Sequence, residues 1–156
     1  MLKHMKRIKR SQVRKGIYLD FEGLKDHAPA LAGFLIDDEF QQVVFDPALK
    51  SAAEAMSISV EDFESFVRSL LEECEENSRF IIAFSIFELA VIERELGIDI
   101  SRRFKNALRF AGRWKAKHLP DVEMKKKSLD EFIRLPEVPY EFPGHLEKGQ
   151  ATKWFR

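Results

Sequence analysis

Residues 17–23 read Ile-Tyr-Leu-Asp-Phe-Glu-Gly, and this stretch predicts where the fold begins. Residues 16–20 are rich in side chains that favour the pleated, half-buried positions of a β-strand. Successive side chains of a strand point to opposite faces, so Asp20 and Glu22 are expected to point the same way. Phe21, between them, is expected to point into the packing. The stretch therefore predicts a first strand that ends in a carboxylate pair.

The following residues predict two more strands and a short helix. Residues 30–36 and 40–45 are apolar runs, and three polar residues, 37–39, connect them. This arrangement is typical of an antiparallel hairpin. An Ala-rich segment over 48–56 then predicts a short helix.

A longer amphipathic helix is predicted next, with Ser59 as its N-cap. Apolar residues recur at helical spacing from Phe63 to Cys74, which indicates one buried stripe. Cys74 lies on this stripe and is interpreted as a core thiol. It is the only cysteine of the chain, so an intramolecular disulfide and a zinc site of paired cysteines are excluded.

The second half of the sequence predicts one more strand among helices. Residues 80–84 are continuously apolar, as in a strand buried on both faces. Helices are predicted over 86–96, ending at Gly97, and over 101–117. A last helix begins at Ser128 with a capping box. Strands that alternate with helices indicate an α/β fold, here a mixed sheet covered by helices.

The charges divide the chain, although 26 basic and 26 acidic residues give a net charge of zero. Residues 1–15 carry seven Lys or Arg and no acid, and are interpreted as a basic tail, either solvated or an arm for nucleic acid. Residues 16–135 are predicted to form the domain, and residues 136–156 a Pro/Gly-rich extension. A neutral total argues against non-specific coating of nucleic acid but permits a local basic track.

Apolar segments are all short. None approaches the roughly 20 residues that a membrane span needs. The basic N-terminus is not followed by the apolar region of a secretory signal. The sequence therefore predicts a soluble, cytoplasmic protein that does not bind a membrane.

The carboxylate pair is a candidate site for Mg²⁺ or Mn²⁺. Asp20 and Glu22 would lie about 6–7 Å apart along one strand face and repel each other where water is scarce. Mg²⁺ prefers one or two carboxylates together with water and substrate phosphates. Two such ions can stabilise both the attacking and the leaving oxygen of a phosphodiester displacement. The alternative interpretation is a strand that runs out to solvent with two exposed acids.

The motif at 17–23 resembles the first motif of the DEDD 3′–5′ exonucleases, which have the ribonuclease H-like fold. It is similar in particular to predicted ribonuclease H-like nuclease domains of bacteria, and the resemblance covers about residues 16–110. It implies three N-terminal strands, then helices with at least one further strand. In this superfamily four acids hold two divalent metals, so the resemblance implies that Asp20 and Glu22 are catalytic metal ligands.

The later motifs of the superfamily match less well. The family places an Asp after the fourth strand, and the acid near that position is Glu88, which the resemblance implies as a third catalytic residue. The last motif is a His or Tyr four residues before an Asp. His145 and Tyr140 are each followed at that spacing by Gly. The chain either lacks the final acid, or stops before it, or relies on a protein partner to complete the site.

The helix predicted over 101–117 suggests a contact surface for nucleic acid. Three arginines on one face of this helix could contact phosphates, and an asparagine among them could contact a phosphate or a metal-bound water. A solvated helix face is the alternative interpretation. The candidate residues, at i, i+4, i+7 and i+11, are Arg102, Asn106, Arg109 and Arg113.

Two functions from different classes are predicted. The first is a metal-dependent nuclease that hydrolyses phosphodiester bonds of DNA or RNA, as a 3′–5′ exonuclease does. The alternative is a catalytically degenerate ribonuclease H-like module that binds nucleic acid or protein. A third possibility, a structural protein, would bind neither metal nor nucleic acid.

Overall fold

The computed structural model of the chain describes residues 8–24, 26–135 and 138. These residues form an α/β fold in which one mixed sheet carries the helices, as the sequence predicts. In chain order the elements are α1 (Arg10–Arg14), β1 (Ile17–Glu22), β2 (Leu31–Ile36), β3 (Glu39–Val44), a 3₁₀ turn (Pro47–Leu49), α2 (Lys50–Ala55), β4 (Ser59–Val60), α3 (Phe63–Glu76), β5 (Ile81–Ala83), α4 (Phe87–Leu96), β6 (Phe104–Asn106), α5 (Ala107–His118) and α6 (Leu129–Ile133).

The sheet has β1 at its centre. Its six strands lie in the order β4-β3-β2-β1-β5-β6. β1 is antiparallel to β2 and parallel to β5, and β5 is parallel to β6. The carboxyl ends of β1, β5 and β6 therefore meet along one side of the sheet, called the carboxyl edge below.

The hairpin of β2 and β3 confirms the prediction, with a tighter turn. Ile36 pairs with Glu39, so Asp37 and Asp38 alone form the loop. Both have a positive φ, 50° and 66°. This is the conformation of a two-residue turn that matches the twist of its strands, and Asp tolerates it better than most residues. Arg79 fixes the turn by donating two hydrogen bonds, 2.9 and 2.7 Å long, to the Asp37 carboxylate.

The hydrophobic core lies between the sheet and helices α3 and α4. Ile17, Leu19 and Phe21 of β1 point into it, and α3 contributes its whole predicted stripe. Cys74 is fully buried, as predicted, and burial raises the pKa of its thiol to about 11. The buried stripe residues are Phe63, Phe66, Val67, Leu70 and Cys74, and Leu71, also on the predicted stripe, is partly buried.

The start of α3 differs from the prediction. Its N-cap is Asp62, whose carboxylate accepts a hydrogen bond of 2.9 Å from the Ser65 N–H. Ser59 instead lies in β4, where Ser59 and Val60 pair with the end of β3. The prediction was wrong because pairing with a distant strand took the residues that could otherwise have capped the helix.

The prediction of a helix over 101–117 was wrong for residues 101–106. Phe104–Asn106 forms β6, in parallel register with Ile81–Ala83 of β5, and α5 begins only at Ala107. Phe104 is buried in the core. A segment of three residues is too short for its apolar pattern to distinguish a helix from a strand. The segment became a strand because the edge of β5 offered it backbone hydrogen bonds.

The chain ends are described only in part. Arg10–Arg14, within the predicted basic tail, forms α1, and the Tyr18 hydroxyl donates a 3.0 Å hydrogen bond to the Val13 carbonyl. The predicted extension over 136–156 lies outside the described residues except for Val138, and residues 1–7 lie outside them as well. In the described part of the chain, no helix is long and apolar enough to cross a membrane.

Replacing Ile92 with Ala should lower the free energy of unfolding by about 2–5 kcal/mol, since it leaves a cavity in a packed core. Ile92 is completely buried in α4. Ile86, which precedes the same helix, is 62% exposed, so Ile86→Ala should change stability by no more than about 0.5 kcal/mol. Denaturant unfolding of both variants measures the difference. Equal losses would contradict the packing described for α4.

Candidate functional site

The carboxylate pair projects from the central strand, opposite the core. Phe21 is 5% exposed, and its ring packs edge-on against those of Phe63 and Phe45, with centroids 5.5 and 6.4 Å away. Alternation along β1 then turns Asp20 and Glu22 to the other face, where both are exposed. The expected orientation of all three residues is confirmed.

Glu88 lies beside this pair because β1 and β5 separate. The parallel pairing ends at Tyr18 and Ile82, so the last part of β1 has no strand on this side. The Phe21 N–H, directed to the same side, donates instead to the Glu88 carboxylate. Glu88 is in the first turn of α4 and only 4% exposed. Its carboxylate therefore replaces the missing strand partner.

Ser85 holds the Glu88 carboxylate in this position. The Ser85 hydroxyl donates to Glu88 Oε2 over 3.3 Å and accepts a 2.9 Å hydrogen bond from the Phe87 N–H. The N-cap of α4 is Ile86, which makes no side-chain capping hydrogen bond, so Ser85 contacts the first turn from the residue before the cap. α4 ends, as predicted, with Gly97 in the left-handed conformation, at φ 66°.

The three carboxylates form one electrostatic cluster. Although Asp20 retains exposed surface, partial desolvation of its carboxyl raises its pKa. Burial also raises the pKa of Glu22, and repulsion by Asp20 raises it further. The pKa of Glu88 is raised mainly by burial, with a further contribution from Asp20. Asp20 thus interacts with both glutamates, and the structure brings together the three residues that the sequence named. This cluster is called the carboxylate cluster below.

A cation at these carboxylates would need further ligands from water or a substrate. In the part of the chain that the structure describes, no group of three or more His, Cys, Asp or Glu residues is spaced to enclose a metal. Glu88 already accepts hydrogen bonds from Ser85 and Phe21. Asp20 and Glu22 are left, and Mg²⁺ sites in proteins commonly use one or two carboxylates, with water and phosphate oxygens as the remaining ligands.

Exposed apolar side chains follow the same strand ends, and the sequence analysis missed them. Leu24, just after β1, is 71% exposed, and Ile86 and Phe87, after β5, are 62% and 38% exposed. All three lie within four residues along the chain of an acid of the carboxylate cluster. The sequence could have indicated two of them, because Ile86 and Phe87 immediately precede Glu88, the third candidate acid.

The four candidate contacts for nucleic acid do not share one helix face, so the prediction of a shared face was wrong. Arg102 lies in the turn before β6, away from the carboxyl edge, whereas Arg109 and Arg113 are on α5 beyond this edge. Asn106 ends β6 and is only 5% exposed. The turn and the strand that precede α5 removed Arg102 and Asn106 from the helix, whereas Arg109 and Arg113 remain on it.

Asn106 is a buried polar residue at the carboxyl edge. It pairs in register with Ala83, the last residue of β5. Its Oδ1 atom is buried and accepts no hydrogen bond from the residues that the structure describes. The structure thus supports a place for Asn106 inside the domain, rather than the exposed phosphate contact that the sequence suggested.

No family model matches the chain, and neither the curated proteins nor the solved structures give a match. Any functional assignment therefore depends on the carboxyl edge itself.

Replacing Glu88 with Gln should raise the free energy of unfolding at neutral pH and lose this effect in acid. The folded-state pKa of Glu88 is raised above its ordinary value of 4.5, so the native state holds its proton more tightly than the unfolded chain. The stability of the unsubstituted protein should therefore fall as pH rises through 4.5 to the raised pKa. The neutral amide has no charge to desolvate and keeps an acceptor for the Phe21 N–H.

Urea unfolding at several pH values, from acid to neutral, measures this effect. Glu93→Gln, at an exposed position of the same helix, is the matched control and should not reproduce the pH-dependent gain. A Glu88→Gln protein that is less stable than the parent at neutral pH would contradict the expected cost of burying this charge.

Proposed function

We propose that this protein is a metal-dependent nuclease that hydrolyses phosphodiester bonds of DNA or RNA, in the manner of the ribonuclease H-like 3′–5′ exonucleases. The observation that carries the proposal is the convergence of Asp20, Glu22 and Glu88 at the carboxyl edge. In open α/β sheets, ligands bind outside the carboxyl ends of the strands.

The order of elements supports the same proposal. An acidic pair ends the first of three N-terminal strands, and helix, strand and helix follow. This is the order expected for a ribonuclease H-like domain from the sequence. Asp20 lies in β1, and Glu88 lies in the first turn of the helix that follows β5, the parallel neighbour of β1. This order of strands and helix brings both acids to the carboxyl edge.

Each acid has a distinct part in the proposed site. Asp20 and Glu22 would hold Mg²⁺ or Mn²⁺, and Glu88 adds a third negative charge whose position Ser85 and the Phe21 N–H fix. A bound divalent cation supplies Lewis-acid stabilisation of charge that develops on the phosphate. The carboxylates alone would repel the phosphate, so activity should depend strictly on the cation.

The apolar residues of the edge suit the rest of a nucleotide. Phe87 offers an exposed aromatic ring, on which bases of any sequence can stack. Leu24 and Ile86 add apolar surface at the same edge. An unpaired terminal nucleotide could use this surface because its base is not occupied in a duplex.

A second candidate is a catalytically degenerate module that binds nucleic acid or a protein partner. The observation that favours it is the burial of Glu88, whose carboxylate satisfies a backbone N–H as a structural residue would. A partner that completes the site belongs to the same alternative. A nuclease would need Asp20 for turnover. In a binding module, replacing Asp20 would change only the local charge.

Replacing Asp20 with Asn, or Glu22 with Gln, should abolish metal-dependent cleavage of end-labelled single-stranded DNA or RNA. Loss of several kcal/mol of charge stabilisation corresponds to a rate decrease of at least about 100-fold. Glu39→Gln, an exposed strand carboxylate at the opposite edge, is the control and should keep full activity. A folded parent that cleaves neither substrate with Mn²⁺ would favour the second candidate.

Mg²⁺ or Mn²⁺ should raise the melting temperature of the parent but not that of Asp20→Asn. Ligand at ten times its dissociation constant adds roughly 1.4 kcal/mol to the free energy of unfolding. The quantity to compare between the two proteins is the change in melting temperature when metal is added. The melting temperatures without metal will differ for another reason, since removing the Asp20 charge relieves its repulsion of Glu22 and Glu88. Identical shifts in both proteins would place any cation elsewhere.

A further inference from the structure

A groove with cationic walls lies between α5, the loop over 119–127 and α6. Its volume is about 780 Å³, within the roughly 300–1,000 Å³ usual for ligand sites. Four of its lining residues are basic: Arg109, Arg113, Lys115 and Lys127. None of the described lining residues is acidic. This surface is called the basic groove below.

The charge of the basic groove indicates a polyanionic ligand. Arg109, Arg113 and Lys115 come from α5, whereas Lys127 comes from the loop before α6, so cations flank the groove from two elements. The surrounding segment, residues 102–127, has ten Lys or Arg and two acids, although the whole chain is neutral. Such local excess charge attracts a phosphate backbone.

The other lining side chains are apolar, which a phosphate backbone alone does not require. Met124 and Phe132 are among them, and Phe132 is held in place by its ring contact with Phe84, 5.6 Å between centroids. An apolar surface between cations fits a nucleotide whose base contacts the apolar side chains while its phosphates contact the walls. A duplex keeps its bases stacked and paired, so a single strand fits better.

The basic groove starts close to the carboxyl edge. α5 follows β6 directly, and Arg109 lies in its first turn. The helix rises about 9 Å from Arg109 to Lys115, which carries the groove away from that edge. One strand could therefore contact both places, with a phosphate at the carboxylate cluster and neighbouring nucleotides in the groove.

We infer that the basic groove binds single-stranded nucleic acid, and that it holds nucleotides next to the one at the carboxylate cluster. This inference rests on the proposed function for its orientation toward that cluster. Binding in the groove, however, needs neither the cation nor cleavage, and can be measured separately.

The first test removes charge from both walls in the full-length chain. The probe is a fluorescent single-stranded oligothymidylate, and its affinity is measured at several salt concentrations. The Asp20→Asn background prevents cleavage. Each lost phosphate contact on a single strand lowers the salt slope by about 0.7, so Arg109→Ala with Lys127→Ala should lower it by about 1.4.

The matched control removes the same charge elsewhere. Lys50→Ala with Arg68→Ala changes exposed cations of α2 and α3, outside the basic groove, and should leave the slope unchanged. Thermal melting verifies that each protein is folded. An unchanged slope in the Arg109 and Lys127 variant, or an equal decrease in the control, would overturn the inference.

The second test addresses the bases. Met124→Asp places a carboxylate on the apolar surface and should weaken oligothymidylate binding by at least about tenfold, whereas Met124→Leu should not. A strand of the same length without bases should bind the parent about tenfold more weakly. Equal binding of both strands, or equal competition by polyglutamate, would show a general polyanion surface and contradict the inference.

A dinucleotide substrate separates this inference from the proposed function. It is too short to occupy both places, so its metal-dependent cleavage should survive loss of the groove cations. Binding in the groove with no cleavage of any substrate would overturn the proposed function alone. Cleavage that depends on Asp20 with no binding in the groove would overturn this inference alone.

Discussion

The packing of Phe21 determines where the acids on either side of it can lie. Its ring is fixed in the core by Phe63 and Phe45, and β1 has neighbours on both sides at the centre of the sheet. A shift of one residue would bury Asp20 and Glu22 and expose Phe21 to water. The register of β1 is therefore kept despite the repulsion between the two carboxylates, because the shifted register would have a much higher free energy.

Glu88 lies near Asp20 and Glu22 because its carboxylate meets a structural requirement of β1. A buried backbone N–H needs an acceptor, and β5 no longer provides one for Phe21 after the two strands separate. Glu88 provides that acceptor from the first turn of α4. The same contact places its charge near Asp20, so protonation or a cation would relieve the repulsion. One hydrogen bond thus links the fold of the edge with its proposed chemistry.

The carboxylate cluster lies at the carboxyl edge, and the basic groove starts at the helix that follows β6. The carboxylate cluster would bind a cation at the phosphate to be cleaved. The basic groove would hold the remaining strand through its phosphates and at least one base. A phosphate backbone would meet attraction in the groove before it reaches the carboxylates, whose own charge repels it until a cation is present.

Local patterns of the sequence determined the elements that have enough residues to show a period. Alternation around Phe21 predicted the face of Asp20 and Glu22, and the apolar stripe of α3 predicted the burial of Cys74. Two apolar runs joined by the polar residues 37–39 predicted the hairpin, which the antiparallel strands β2 and β3 form. Tertiary structure alone decided the short strands β4 and β6, the burial of Asn106 and the contact of Glu88 with Phe21. Two or three residues have no measurable period, and their conformation depends on which distant strand offers them hydrogen bonds.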